Sequence, residues 1–245
     1  IGLAFLFFNL LASIRAKVQL NWPAPAYFTL SILTAYFLST RLKNLQSWKP
    51  WRGWFYAAIL IGLIVVPISH DNSILFPIIK RFVDSRNKAT AKKGKPPKYS
   101  VADFDLLDRL RGWRMLGNDV SEKLQSLGPG AFVLCDDYQQ TAEMAFYVVG
   151  QPKTYCAGPY FGKRLSQYDM WPDRKLDSSS PLLGRDAIYV GKGGALPEEV
   201  ANAFARVEKL PLLPVQVDGA QVRTFKTWRC FGFKGMQRSQ EMPDY

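Results

Sequence analysis

Three stretches of this chain gather side chains able to do chemistry. The first is Arg15-Ala-Lys-Val-Gln-Leu-Asn-Trp22, running into a Pro-rich start at Pro23. Arg15 and Lys17 supply two cations, Gln19 and Asn21 an amide pair, and Trp22 an indole, all lying between two apolar blocks. Polar groups at lipid depth are costly unless partnered, so the two cations suit a clamp on the phosphate of a lipid-linked donor. Ordinary interfacial anchoring by Lys and Trp is the structural alternative. The second stretch is Asp136-Asp137-Tyr138-Gln139-Gln140, which comes after an apolar run and opens a helical pattern, with Glu143 one turn on. Side chains at the carboxyl end of a parallel strand sit where open α/β sheets bind ligands. Asp136, Asp137 and Gln139 are therefore candidates for sugar or acceptor contacts, while at least one aspartate is expected to cap the helix and complement its dipole. The third is Arg164-Leu-Ser-Gln-Tyr-Asp-Met-Trp171. Gln167, Tyr168, Asp169 and Trp171 offer amide, carboxylate and aromatic groups of the kind that hold sugar hydroxyls and a sugar's apolar face. The same residues also make good packing anchors for a loop.

Other chemistries find little support. Cys135, Cys156 and Cys230 lack CxxC spacing and His70 is the sole histidine, so no metal site is expected, and no cofactor is identified. Cys135 and Cys156 each end an expected strand, which leaves a disulfide and buried free thiols both open. Gly191-Lys-Gly-Gly194 comes after a strand but lacks the spacing of a phosphate loop, and reads as a turn. A net charge of +12 first suggests nucleic acid. No nucleic-acid motif is present, however, and basic residues flank apolar segments. Anionic membrane lipid, or a phosphate-bearing lipid substrate, is the expected partner.

The elements that must position these groups divide unevenly. All 20 acidic residues lie beyond His70, and the first 70 residues hold three apolar blocks, at 1–14, 23–40 and 54–69. Their lengths approach the roughly 17–25 residues that span a bilayer, and Trp22, Tyr27, Trp48, Trp51, Trp54 and Tyr56 cluster at their ends. The expectation is three transmembrane helices, the first truncated, in the C-terminal part of a larger membrane protein. The basic loop Arg41–Gly53 places that loop in the cytoplasm. The remainder of the chain then emerges on the outer face.

Residues 72–83 read as a short interfacial helix, and 86–99 as a basic, Pro/Gly-containing linker. From Ser100 the pattern becomes α/β. Helices are expected over 103–107, 113–127, 138–149 and 198–204, and strands over 131–135, 153–156 and 186–190. Two antiparallel strands, 207–217 and 221–234, should turn at Asp218-Gly219. The fold class expected is thus a membrane α-helical segment (1–71), an interfacial helix and linker (72–99), and a soluble α/β domain (100–245) with a mainly parallel sheet and a C-terminal antiparallel hairpin.

Taken together, KVQLNWPAPAY, CDDYQQTAEMAFYVVGQP, RLSQYDMW and TWRCFGFKG resemble, in that order, the C-terminal part of bacterial family 39 membrane glycosyltransferases. That family is related to dolichyl-phosphate-mannose–protein mannosyltransferases and to the lipid A aminoarabinose transferase. The resemblance implies a multi-pass enzyme of the bacterial inner membrane. Such an enzyme moves a sugar from a polyprenyl-phosphate donor to an acceptor glycolipid or protein on the periplasmic face. It implies that the catalytic acidic residue, beside a basic partner or a divalent metal, sits in a loop ahead of Ile1, so no catalytic residue is expected in this stretch. It assigns Lys17, next to Pro23, to the donor phosphate or the rim of the active site, with Arg15 added by proximity. The competing expectation is a membrane-anchored α/β module that binds an envelope glycan or a partner protein without catalysis.

Overall fold

The computed structural model describes residues 2–15, 23–42, 45–92, 94, 96–105, 107–192 and 194–237. They form two compact units, 1–70 and 71–245.

In the first unit each apolar block becomes a helix: α1 (Gly2–Arg15), α2 (Ala24–Leu42) and α3 (Leu45–His70). Among the described residues only α3 carries a stretch long and apolar enough to cross a membrane, the 23 residues Trp48–His70, with none of its most apolar window buried. One of the three expected spans is thus matched by a candidate helix. α1 is short at 14 residues. α2 is diluted by hydroxyls: Thr29, Ser31, Thr34, Ser39 and Thr40 each donate to a backbone carbonyl three or four residues earlier. Such back-bonding satisfies these side chains within the helix. α1 and α2 approach closely at Gly2, where an added Cβ would collide with Thr29 Oγ1. The loop expected over 41–53 is mostly helical, because α3 already begins at Leu45. There Trp51 meets Phe37 of α2 edge-on, with ring centroids 5.1 Å apart.

The second unit opens with a 3-10 turn (Asn72–Leu75) and α4 (Phe76–Ala91). This helix runs eight residues past the interfacial segment expected to end at Val83, through part of the expected linker. The chain then returns along it. Asn87 accepts from the Lys98 and Tyr99 N–H groups at 3.1 Å each and donates to the Tyr99 carbonyl at 2.7 Å. One amide thereby closes an exposed loop of the basic segment onto the helix. Arg111 ties the residues just ahead of α4 to the segment beyond the linker: its Nε donates to the buried Asp105, and its Nη2 to Asp71 and Asn72.

The helix expected over 103–107 is replaced by two 3-10 turns, Val101–Phe104 and Asp108–Leu110. Asp105 Oδ1 accepts from the Leu107 N–H between them, the local competition that Asp offers a helix. Beyond lie α5 (Trp113–Leu127), β1 (Phe132–Cys135), α6 (Tyr138–Tyr147), β2 (Thr154–Cys156), β3 (Ala187–Gly191), α7 (Glu198–Asn202), β4 (Phe204–Lys209), β5 (Leu213–Val217) and β6 (Ala220–Phe233). Gly112, at φ +80°, starts α5; a side chain there would collide with Val215.

The sheet is mixed, in the order β2-β1-β3-β6-β4, with β5 also on β6. β2, β1 and β3 run parallel, and the C-terminal strands antiparallel. The expected strand over 207–217 is two strands, β4 and β5, pairing successive parts of β6. The break falls at Pro211, which has no N–H to give the ladder. The Asp218-Gly219 turn is as expected, with φ +49° and +74°, the pair of positive values a two-residue hairpin turn requires.

β1 is buried along its whole length and alternates between two cores. Phe132 and Leu134 join Tyr189, Trp228 and Phe233 on one side. Val133 and Cys135 join Trp113, Leu116, Val120, Ile188 and Phe76 of α4 on the other. From β1 the chain passes through α6 to β2 on one flank, then crosses back to β3 on the other. That reversal opens a crevice at the carboxyl ends of β1 and β3, the place where open α/β sheets bind ligands.

Candidate binding cleft at the carboxyl ends of β1 and β3

Asp136 and Asp137 leave β1 at this reversal and take different roles. Asp136 is buried. Its Oδ1 accepts from the Tyr189 hydroxyl at 3.0 Å and pairs with Lys163 Nζ at 2.8 Å, and its Oδ2 accepts from the Lys192 N–H at 3.1 Å. Burial, and after it the adjoining Asp136 carboxylate, pushes the Tyr189 phenol far above its ordinary range, so it stays a donor. Asp136 thus binds β1, β3 and the loop carrying Lys163 into one knot. Gly158 belongs to the same knot, since a Cβ there would lie 2.8 Å from the Asp136 carbonyl.

Asp137 is the cap expected of one of the pair. Its Oδ1 accepts from the Gln140 N–H at 2.9 Å at the start of α6, and its Oδ2 pairs with Lys192 Nζ at 2.9 Å. Burial acts to raise its pKa, but the Gln140 hydrogen bond and then the Lys192 ammonium hold it below the ordinary carboxylate value.

Above these residues lies a cleft of about 440 Å³, near the small end of ligand-pocket sizes. Asp137, Tyr138, Gln139, Gln140, Ala142 and Glu143 form the α6 side; Arg109 and Leu110 of the 3-10 turn before α5 and Trp113 at its start face them, and Lys192 and Arg223 complete the lining. Arg223 is fixed: its Nη1 donates to the carbonyls of Asp108 and Arg109 at 3.2 and 3.3 Å, and its guanidinium lies 4.4 Å from the ring centres of both Trp113 and Phe225. Burial raises the Glu143 pKa, and Arg223 opposes that without reversing it. Gln140 is only 3 % exposed, and its Oε1 is buried with no hydrogen-bond partner among the described residues.

The other expected site residues lie elsewhere. Gln167, Tyr168, Asp169 and Trp171 do not line the cleft. Asp169 Oδ2 accepts from the Ser166 N–H and hydroxyl at 2.8 and 3.0 Å. Tyr168 and Trp171 meet edge-on and, with Tyr155, surround Arg174, whose guanidinium lies 5.3–5.9 Å from the three ring centres. This arrangement is loop packing around a cation. Arg15 is exposed at the end of α1, and Lys17, Gln19, Asn21 and Trp22 fall outside the described residues. Among the described residues no cluster of His, Cys, Asp or Glu is arranged to hold a metal ion. All three cysteines are buried free thiols, although Cys135 and Cys156 are register partners on neighbouring strands.

Sequence reasoning missed Gln140, Lys192, Arg109 and Arg223 as cleft residues. Gln140 had a local signal, three positions after a capping aspartate, and Lys192 sat in the Gly-rich turn after β3. Arg109 and Arg223 had none, because only the packing of β6 against the start of α5 brings them together. The cleft offers amides, carboxylates, cations and one accessible aromatic ring, a set made for holding a polar ligand. No protein-family model, curated protein or solved structure matches the chain.

Proposed function

We propose that this chain is the C-terminal part of an integral-membrane glycosyltransferase of the bacterial inner membrane. The parent enzyme moves a sugar from a polyprenyl-phosphate donor to an acceptor on the periplasmic face. The observation that carries this reading is α3, whose 23-residue apolar stretch Trp48–His70 is the candidate span, with an α/β unit and its polar cleft after it in the chain. The ordered resemblance of four segments to family 39 enzymes supports the chemistry. A departing polyprenyl phosphate gains negative charge, so cations that meet it there, Lys17 foremost with Arg15 two positions before it in the sequence, stabilise the transition state more than the bound donor. In the full-length enzyme, Lys17→Ala lowers turnover at least tenfold in proteoliposomes while membrane insertion is retained. Undiminished turnover removes Lys17 from that role.

A second reading is favoured by one observation. Asp136 and Asp137 are committed to hydrogen bonds and ion pairs within the fold, whereas Gln140 and Glu143 beside them are left for a ligand. The α/β unit then serves as a membrane-tethered recognition module for an envelope glycan or partner protein. Sugar transfer by the full-length protein in proteoliposomes separates the two readings, because the module alone transfers nothing.

A further inference from the structure

We propose that the cleft between α6 and the start of α5 binds an anionic saccharide, a sugar ring carrying one carboxylate or phosphate group. This deepens the recognition-module reading by naming the site and its ligand class, and it rests on the α/β unit alone.

Two needs of the cleft point in different chemical directions, and one ligand meets both. The first need is for a donor. Gln140 lines the cleft, and its side-chain oxygen is buried without a hydrogen-bond partner among the described residues, an unfavourable state until something donates to it. Glu143, on the same helix face one turn later, lines the cleft, and its carboxylate makes no hydrogen bond with another described residue. Hydroxyl groups answer both. The second need is for negative charge. The first turn of a helix leaves its N–H groups without intrahelical acceptors. Asp137 satisfies that of Gln140, and the dipole at the start of α6 favours an anion. Arg109 lines the opposite wall and forms no ion pair among the described residues. Lys192, by contrast, already holds Asp137.

A bare phosphate meets the second need and leaves Gln140 unanswered, because its oxygens mainly accept. A neutral sugar does the reverse. Lys192 and Asp137 offset each other in the lining, and Arg109 and Arg223 together outnumber Glu143, so a cationic ligand is met less well than an anionic one. The Tyr138 ring, 39 % exposed at the cleft, offers a flat surface to the apolar face of a pyranose. The site's ligand is therefore a ring with adjacent hydroxyls and a single anionic substituent.

Isothermal titration of the full chain in lipid nanodiscs tests this with four probes: glucuronate, glucose 6-phosphate, glucose and inorganic phosphate. Glucuronate or glucose 6-phosphate is expected to bind at least tenfold more tightly than both glucose and phosphate, and the better of the two identifies the anionic group. Arg109→Ala, at an exposed position with little part in packing, is expected to erase that advantage. Gln140→Leu is expected to weaken the sugar probes at least fivefold while leaving phosphate unchanged. Anionic sugars that bind no more tightly than phosphate or glucose overturn the proposal, as does binding indifferent to Arg109→Ala. Turnover is not read in this experiment, so its failure leaves the transferase reading standing, and loss of the Lys17 role leaves the cleft assignment standing.

Discussion

The Asp137 carboxylate and the Lys192 ammonium lie 2.9 Å apart, although 55 residues separate them in the chain. Asp137 comes after β1 and Lys192 after β3, so the pair bridges the carboxyl ends of two parallel neighbours. The Lys192 backbone N–H meanwhile bonds to Asp136. Two consecutive aspartates thus grip one lysine by main chain and side chain, which fixes the floor beneath the cleft.

Asp137→Ala removes the α6 cap and is expected to cost about 1 kcal/mol at pH 7, the usual worth of such a cap. Because the folded-state pKa of Asp137 lies below its ordinary 3.8, the ionised carboxylate's contribution is complete above that value and fades as pH falls through the folded pKa. Urea denaturation of wild type and Asp137→Asn at pH 7 and pH 2.5 checks the sign: the gap between them narrows in acid. A gap that widens in acid contradicts the assignment.

Glu143 has the opposite linkage. Burial lifts its folded pKa above the ordinary 4.5, so the folded state holds the proton more tightly and stability declines as pH rises through that interval. Glu143→Gln is expected to raise the melting temperature at pH 7 and to change it little at pH 4. Melting curves at the two pH values decide it, and a destabilised Gln variant at pH 7 is the contrary result.

The three cysteines should be silent towards thiol reagents in the native protein. Burial raises the Cys156 thiol to about 11 and the Cys230 thiol to about 12, and pushes Cys135 well above its ordinary value. The thiolate is the reactive form. Ellman's reagent at pH 7.5 should therefore give almost no colour within minutes, and three equivalents once the chain is denatured under non-oxidising conditions. Rapid labelling of the native protein contradicts this burial.

The features legible in the sequence are those set by interactions within a few residues. α5 matches its expected bounds because Gly128 and Gly130 stop it and its apolar positions recur at helical spacing. β1 and β3 are visible as short, wholly apolar runs, and the Asp218-Gly219 hairpin by its turn residues. α4 outruns its expected length because its second half is polar and basic, while Phe76, buried in the same core as Trp113, helps hold its first half in place. Of the three apolar blocks only α3 keeps the length and hydropathy of a span, because apolar composition alone does not weigh the hydroxyls of α2 against its length.

By itself, the sequence determined the helical periods, the strand runs, the tight turn and the placing of an aspartate pair just after β1. Whether Asp136 or Asp137 caps the helix, which lysines answer them, and that Arg109 and Arg223 share a cleft with Gln140 were decided by tertiary structure alone. The reason is physical: caps and periodicity are written within four residues, whereas these meetings depend on strands pairing out of sequence order, which long-range burial of Phe132, Val133, Ile188 and Tyr189 selects.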